Sequence, residues 1–534
     1  MQLFGPSLCA SYIINNKNNR NSSDDIIFLW KKGIPRNVIG IFSILFHIIP
    51  SFVREKCSNI INIVFISLSI IIFIIWIGSA LYLRKTAKLP NALVIFINLM
   101  LSSFLSIVSP IMLNLAGESI SRVIWGGENN KNQDFNIVGS IIIPVISIIV
   151  SIFIYLIFKT LICVSLIFRP TSLQSILPHP QNEINIYTYL VTFLMAIGSQ
   201  LSKIPRLIVM FLSIIVYAFS IRVPFLPGTI INITYRKTFL AISISSIINI
   251  IILAILSILD NQGNQIFIFV IVAVFIVSFI VSHFIFQKYI TLKLDMLDQI
   301  IDDNTYIDTY VETPNKMATL ICTSMQYAHS AMGNWDLFKV ATEKWPKSTI
   351  IWILYAKFVA IYPEETNVLS YIIRSIVSQK LKGFTIKQIV AQTGSIQIQR
   401  ECTLTSDLKH KLKEITKTVT QTKTKLRHIW DIVIQGNIGE MEPAIDAGYH
   451  SVNQCKNDFL HLLSQYPNNR FVSRSYSRFI LEVLGDRDGF NEWKEKTNSL
   501  KNGVIITEDL THKLGMEAFP MTFDHISQQN MILS

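Results

Sequence analysis

Six cysteines, at positions 9, 57, 163, 322, 402 and 455, and ten histidines are the side chains with the widest chemical reach in this sequence. Their spacing does not assemble a reaction centre. No Cys or His pair stands at zinc-ligand spacing, and His450 and His461 are isolated, which reads as surface or core. The phosphate-cradling patterns G-x-x-x-x-G-K-[ST] and G-x-G-x-x-G are missing, as are H-E-x-x-H and G-x-S-x-G. Asp and Glu are plentiful after residue 287 but follow helical surface spacing. The expectation is a chain with no catalytic residue, no cofactor and no metal ligand. It should not cyclise ATP or GTP, because that chemistry needs a two-metal carboxylate site.

Aromatic residues are patterned more sharply. WPKSTIIWILYAKFVAIYP begins at Trp345, and YPNNRFVSRSYSRFILEVLGD begins at Tyr466. Each opens on an aromatic–Pro pair, Trp345-Pro346 and Tyr466-Pro467. Each then places a Tyr ten residues after the aromatic and a Phe three further on: Tyr355 with Phe358, and Tyr476 with Phe479. Proline ends one helix and helps start the next. Tyr and Phe at i, i+3 share a face that packs back on the preceding helix. An ordinary pair of helix hairpins explains the residues equally well. Between the two, Leu408, Leu412, Ile415, Val419, Thr422, Leu426, Ile429 and Val433 form an a/d stripe. It reads as the seam of a homodimeric coiled coil over 408–433 or as a long helix packed within its own domain, with Thr422 weakening the seam.

The second hairpin, with Tyr466-Pro467, Phe471, Tyr476, Phe479, Glu482-Val483 and Asp486-Arg487-Asp488, resembles the helical-repeat module called TmcB/TmcC-like. So does the segment Trp345-Pro346, Trp352, Tyr355-Ala356-Lys357-Phe358. In protists that module follows a multi-span membrane region in large proteins of the adenylate/guanylate cyclase family. The resemblance implies a signalling membrane protein. It transfers no catalytic residue, since residues 1–534 contain no class III cyclase domain with its two metal-binding aspartates.

These residues need elements to hold them. The chain is 51% hydrophobic and 15% charged, far below the roughly 25% charge of soluble domains. Residues 1–286 carry 19 Lys/Arg and 8 Asp/Glu, a net of +11; residues 287–534 carry 28 and 27, a net of +1. The positive charge therefore lies between apolar segments, which excludes nucleic-acid binding, and the composition excludes a disordered chain. Residues 15–25 are polar and no cleavable signal follows them. A spanning helix needs about 20 apolar residues. Segments 60–83, 92–116, 137–158, 207–224, 238–259 and 265–286 qualify. Segments 38–53 and 187–202 are weaker, and the latter also reads as re-entrant or channel-lining.

With eight spans and both termini cytosolic, thirteen Lys/Arg fall inside: Lys17, Arg20, Lys31, Lys32, Arg36, Arg84, Lys85, Lys88, Arg169, Arg236, Lys237, Lys288 and Lys293. Six fall outside: Arg54, Lys56, Arg122, Lys131, Lys203 and Arg206, as the positive-inside rule requires. Lys159, Arg222, His47 and His283 lie at or near span ends and read as interfacial anchors.

The expected fold is all-α: a multi-span transmembrane bundle followed by a cytosolic TPR/HAT-like helical domain. Its parts are a polar tail (1–37), the bundle (38–286), a juxtamembrane linker (287–313), the helical-repeat domain (314–500) and a C-terminal tail (501–534). Two functions compete. One is a noncatalytic plasma-membrane sensor or scaffold, whose partners are the lipid bilayer and a protein held by the helical domain. The other is a transporter or channel with a regulatory domain. Helical-repeat packing or partner contact is assigned to Trp345, Pro346, Trp352, Tyr355, Phe358, Tyr466, Pro467, Phe471, Tyr476 and Phe479.

Overall fold

The computed structural model describes residues 51–86, 89–101, 105–125, 137–157, 164–168, 175–198, 201, 203–258, 266–302, 307 and 310–519. The polar tail, His47, Lys159, Cys9, Cys163, Arg169 and most of segment 38–53 lie outside those residues. The described residues are helical, with no strand among them and one isolated bridge, Ser175 to Ile230.

The N-terminal half contains α1 (Ser51–Thr86), α2 (Asn91–Leu99), α3 (Leu105–Trp125), α4 (Ile137–Ile157), α5 (Pro178–Gly198), α6 (Lys203–Ser220), α7 (Ile233–Ile258) and α8 (Ile266–Asp302). Four stretches are long and apolar enough to cross a membrane: Asn59–Arg84, Ile204–Phe225, Ile233–Ile255 and Val270–Asp302. The bundle is inside-out relative to a water-soluble core. Ile74, Ile149, Phe211, Ile276 and Phe284 face outward, whereas Ser69, Ser147, Ser213, Ser243 and Asn249 are buried. Such serines return their hydroxyls to the carbonyl four residues back, as Ser69 does to Phe65 and Ser213 to Val209. Small residues then let helices approach closely. Gly117 of α3 sits where a Cβ would lie 2.8 Å from that of Ala196 on α5.

Contacts fix the directions. Asn62 meets Ser147 and Phe73 meets Phe153, so α1 and α4 run parallel. Ser147 also donates to the Met112 carbonyl while Val108 clusters with Val150, so α3 runs against α4. Ser220 bonds Ser243 between α6 and α7, and Lys237 meets His283 between α7 and α8.

Two span boundaries differ from the sequence reading. The apolar run 92–116 divides, α2 ending at Leu99 and α3 beginning at Leu105. Residues 118–125, read as loop, continue α3, because Glu118, Ser119 and Ser121 are buried and Ser121 bonds the Ile197 carbonyl on α5. The final helix runs 37 residues without interruption and carries the first part of the linker.

The C-terminal half comprises α9 (Pro314–Tyr327), α10 (Asp336–Lys344), α11 (Thr349–Val359), α12 (Thr366–Ser378), α13 (Phe384–Arg400), α14 (Ser406–Gln435), α15 (Ile438–Gln465), α16 (Arg470–Phe479), α17 (Arg487–Lys501) and α18 (Leu510–Ala518). Caps explain several boundaries. Thr313, Thr405, Asn469, Asp486 and Asp509 accept first-turn N–H bonds. Gly436 (φ 72°) and Gly485 (φ 68°) supply left-handed turns. The helix read as 314–332 stops at Tyr327, where Ala328 turns left-handed, and a 3-10 turn follows over Ser330–Trp335.

Within residues 501–534, α18 folds back on α11. Gly515 lies against Ile361, the His512 ring meets the Ile361 carbonyl at 2.9 Å, and Asp509 pairs with Arg400 at 2.6 Å. Arg400 also donates to the Ala360 carbonyl at 2.6 Å.

Candidate functional site

Both aromatic pairs turn back on the preceding helix. Tyr355 stacks on Phe338 of α10 with ring centroids 4.5 Å apart, and Phe358 lies 6.2 Å from the same ring. In the second hairpin Phe459 of α15 takes that position, 5.6 Å from Tyr476 and 5.1 Å from Phe479. Phe338 and Phe459 each lie seven residues before their aromatic–Pro pair. The sequence reading missed them, although that equal offset would have found them. Trp352 is buried and donates its indole N–H to the Pro346 carbonyl at 2.7 Å. Trp345 is partly exposed beneath the Lys344 ammonium, and Phe471 is half-buried beneath the Arg470 guanidinium. Tyr466 is buried, its hydroxyl near Lys411 and Asp407.

The two hairpins are not brought together. Tyr355 and Phe358 belong to the large core of the C-terminal half, while Tyr476 and Phe479 belong to a separate cluster with Val419, Cys455 and Phe459. The heptad stripe packs within the chain. Leu408 and Leu412 join Leu462 and Tyr466, Thr422 bonds Ser451 and Cys455, and Leu426 and Ile429 cover Gly448.

The large core also takes in residues from the apolar half. Val164, Leu166, Phe168, Ile176 and Leu177, from the α4–α5 connection, and Ile231, from the α6–α7 connection, are buried in it. Leu166 N–H donates to the Gln392 side chain at 2.8 Å, and that amide donates to the Val164 carbonyl at 3.3 Å. Phe168 stacks on Phe358 at 5.5 Å and meets Phe519 edge-on at 5.0 Å. Lys357, 1% exposed, donates to the Ile176 carbonyl at 2.6 Å and lies 5.7 Å from the Phe168 ring centre. A buried ammonium is costly unless paired. Here a carbonyl and an aromatic face from the bundle supply partners.

The two connections also bind each other. Leu177 N–H donates to the Gly228 carbonyl at 2.7 Å. Gly228 has φ 63°, and a Cβ there would fall 2.5 Å from Leu177. Glycine is needed on both counts. Arg236, 8% exposed, donates to the Ile230 carbonyl, and Gln326 donates to the Ile231 carbonyl at 3.1 Å. Cys322 sits in this junction. Burial pushes its thiol up to about 12, against the opposing pull of Arg236, a Gly228 backbone hydrogen bond and Lys357. A thiol held protonated is a poor nucleophile.

Beside the junction, Glu183 gathers Arg222 at 2.9 Å, Tyr187 at 3.2 Å and His179 at 3.4 Å. Arg222, read from sequence as a lone anchor, thus shares a carboxylate with α5. Among the described residues no three His, Cys, Asp or Glu side chains converge on a metal-sized site. What this arrangement does physically is join two helical bodies through buried side chains.

Comparison with known proteins finds no match among protein-family profiles, curated proteins or solved structures.

Proposed function

We propose that this chain is a noncatalytic membrane signalling or scaffold protein that passes the state of its bundle to its C-terminal helical domain. The bundle crosses the plasma membrane eight times with both termini cytosolic, and the C-terminal domain is a TPR-like module that holds a protein partner. By the resemblance noted above, a purine nucleotide cyclase is the partner class it fits. The observation that carries this reading is the burial of Phe168 and Ile176, from a connection between apolar helices, against Phe358 and Lys357. A displacement of α4 or α5 must disturb α11, because packed interiors transmit strain and do not absorb it.

The test uses the full chain in nanodiscs of two bilayer thicknesses. Hydrogen exchange over 349–359 and 384–400 is expected to change with thickness, and Phe168→Ala is expected to abolish the change. Exchange that ignores thickness in the unaltered protein would overturn the proposal.

One observation favours the transporter reading. Asn62 Nδ2, Ser109 Oγ, Ser151 Oγ, Ser246 Oγ, both Asn249 side-chain atoms and Ser282 Oγ are buried in the bundle without a hydrogen-bond partner. Such groups are satisfied by water or a polar solute. Solute flux into proteoliposomes that Asn249→Leu abolishes would favour this second function.

A further inference from the structure

The α14–α15 hairpin ends in an apolar tip. Trp430, Ile434, Ile438 and Tyr449 are 69%, 82%, 80% and 65% exposed, with Ile445 nearly half exposed. Closer to its base the same hairpin buries Val419, Thr422, Cys455 and Phe459.

The exposed residues share one face. Leu426 and Ile429 point inward onto Gly448. The next residue on each helix, Trp430 or Tyr449, is rotated by about 100°. Because the helices are antiparallel, these rotations bring both residues out on the same side. Ile434, four after Trp430, and Ile445, four before Tyr449, extend the face; Ile438, seven before Ile445, completes it at the turn. An exposed contiguous apolar patch of this size marks an interaction site.

Charge identifies the occupant. The α14 edge of the face carries Arg427, and the α15 edge carries Glu442. The face is therefore apolar in the middle, basic along one helix and acidic along the other, which makes it complementary to itself. A two-fold axis along the hairpin lays α14 of one copy over α15 of the other, so opposite charges meet and Trp430 enters the apolar middle. The alternative two-fold, α14 on α14, would set Arg427 against Arg427. We propose that a second copy of this chain docks on this face, an isologous contact. The proposal is independent of the signalling reading.

The test measures the mass of the full chain in nanodiscs or detergent by sedimentation. A dimer is expected. Trp430→Glu is expected to weaken it about thirtyfold or more, as truncating a central aromatic anchor does, with an unchanged melting temperature because the side chain is exposed. Arg427→Glu should weaken it about fivefold, and adding Glu442→Arg should restore it. A monomer at about 10 μM would overturn the proposal, as would a dimer indifferent to Trp430→Glu or a charge reversal that its partner does not rescue. Monomers that bind lipid vesicles through Trp430 would assign the face to the membrane and would also overturn it.

Discussion

Cys322 and Cys402 carry the same thiol in opposite surroundings, the first buried at the junction and the second exposed. The Cys322 thiol rises from an ordinary 9.0 to about 12 because burial penalises the thiolate. Its folded-state pKa is raised, so its contribution to stability is fully present below about pH 9 and is lost as pH climbs toward 12. Iodoacetamide at about pH 8 should alkylate Cys402 at least roughly tenfold faster than Cys322. Peptide mass spectrometry reads both sites in one sample. Equal rates would show that the junction opens in solution, since a packed core admits no reagent. Lys357 makes the same point about legibility at this scale. In the sequence it is one lysine between Ala356 and Phe358; only the bundle's carbonyl and ring give it a reason to be buried.

At the scale of elements, the aromatic hairpins yield a stability prediction. Phe479 is 1% exposed and touches Phe459 and Tyr476, so Phe479→Ala removes a ring from the centre of its cluster. The expected cost is about 3–5 kcal/mol, a large share of the roughly 5–15 kcal/mol that holds a domain. Lys417→Ala, on an exposed face, should cost less than about 0.5 kcal/mol. Hydrogen exchange across 470–484 in the full chain should rise sharply for the first variant and stay level for the second. If both stay level, the ring is not a packing element.

Helix order in this half was readable because capping residues, glycines and prolines punctuate it; α13 spans 384–400, as its sequence pattern predicts. The Tyr/Phe spacing likewise marked faces that pack on a preceding helix. It could not say which core each face joins, because that depends on contacts more than a hundred residues apart, such as Phe168 with Phe358. The break between Leu99 and Leu105 was equally hidden, since an apolar run has no contrast from which to read an interruption.

For the whole molecule, the prediction concerns which ends of the helices share a side. The ends of α4 and α6 and the starts of α5 and α7 converge on the C-terminal half through residues 164–177 and 228–231. The last helix also leads into that half. With 21 residues, α5 rises about 32 Å, enough to cross a hydrocarbon core of about 30 Å. Counting α5 as a crossing puts these connections on the side that holds the thirteen Lys/Arg. Single cysteines at Asn129 and Asn261 should then react with a membrane-impermeant maleimide added outside intact cells, while cysteines at Thr86 and Thr234 should react only after permeabilisation. External labelling at Thr86 alone would mean that α1 is inverted relative to α4, contrary to their parallel contact through Asn62 and Ser147. External labelling at Thr234 would carry the C-terminal half outside with it, because Gln326 and Arg236 tie that connection to the core. The partner of the C-terminal domain would then have to be extracellular, and the eight-span assignment and the signalling reading would fall together.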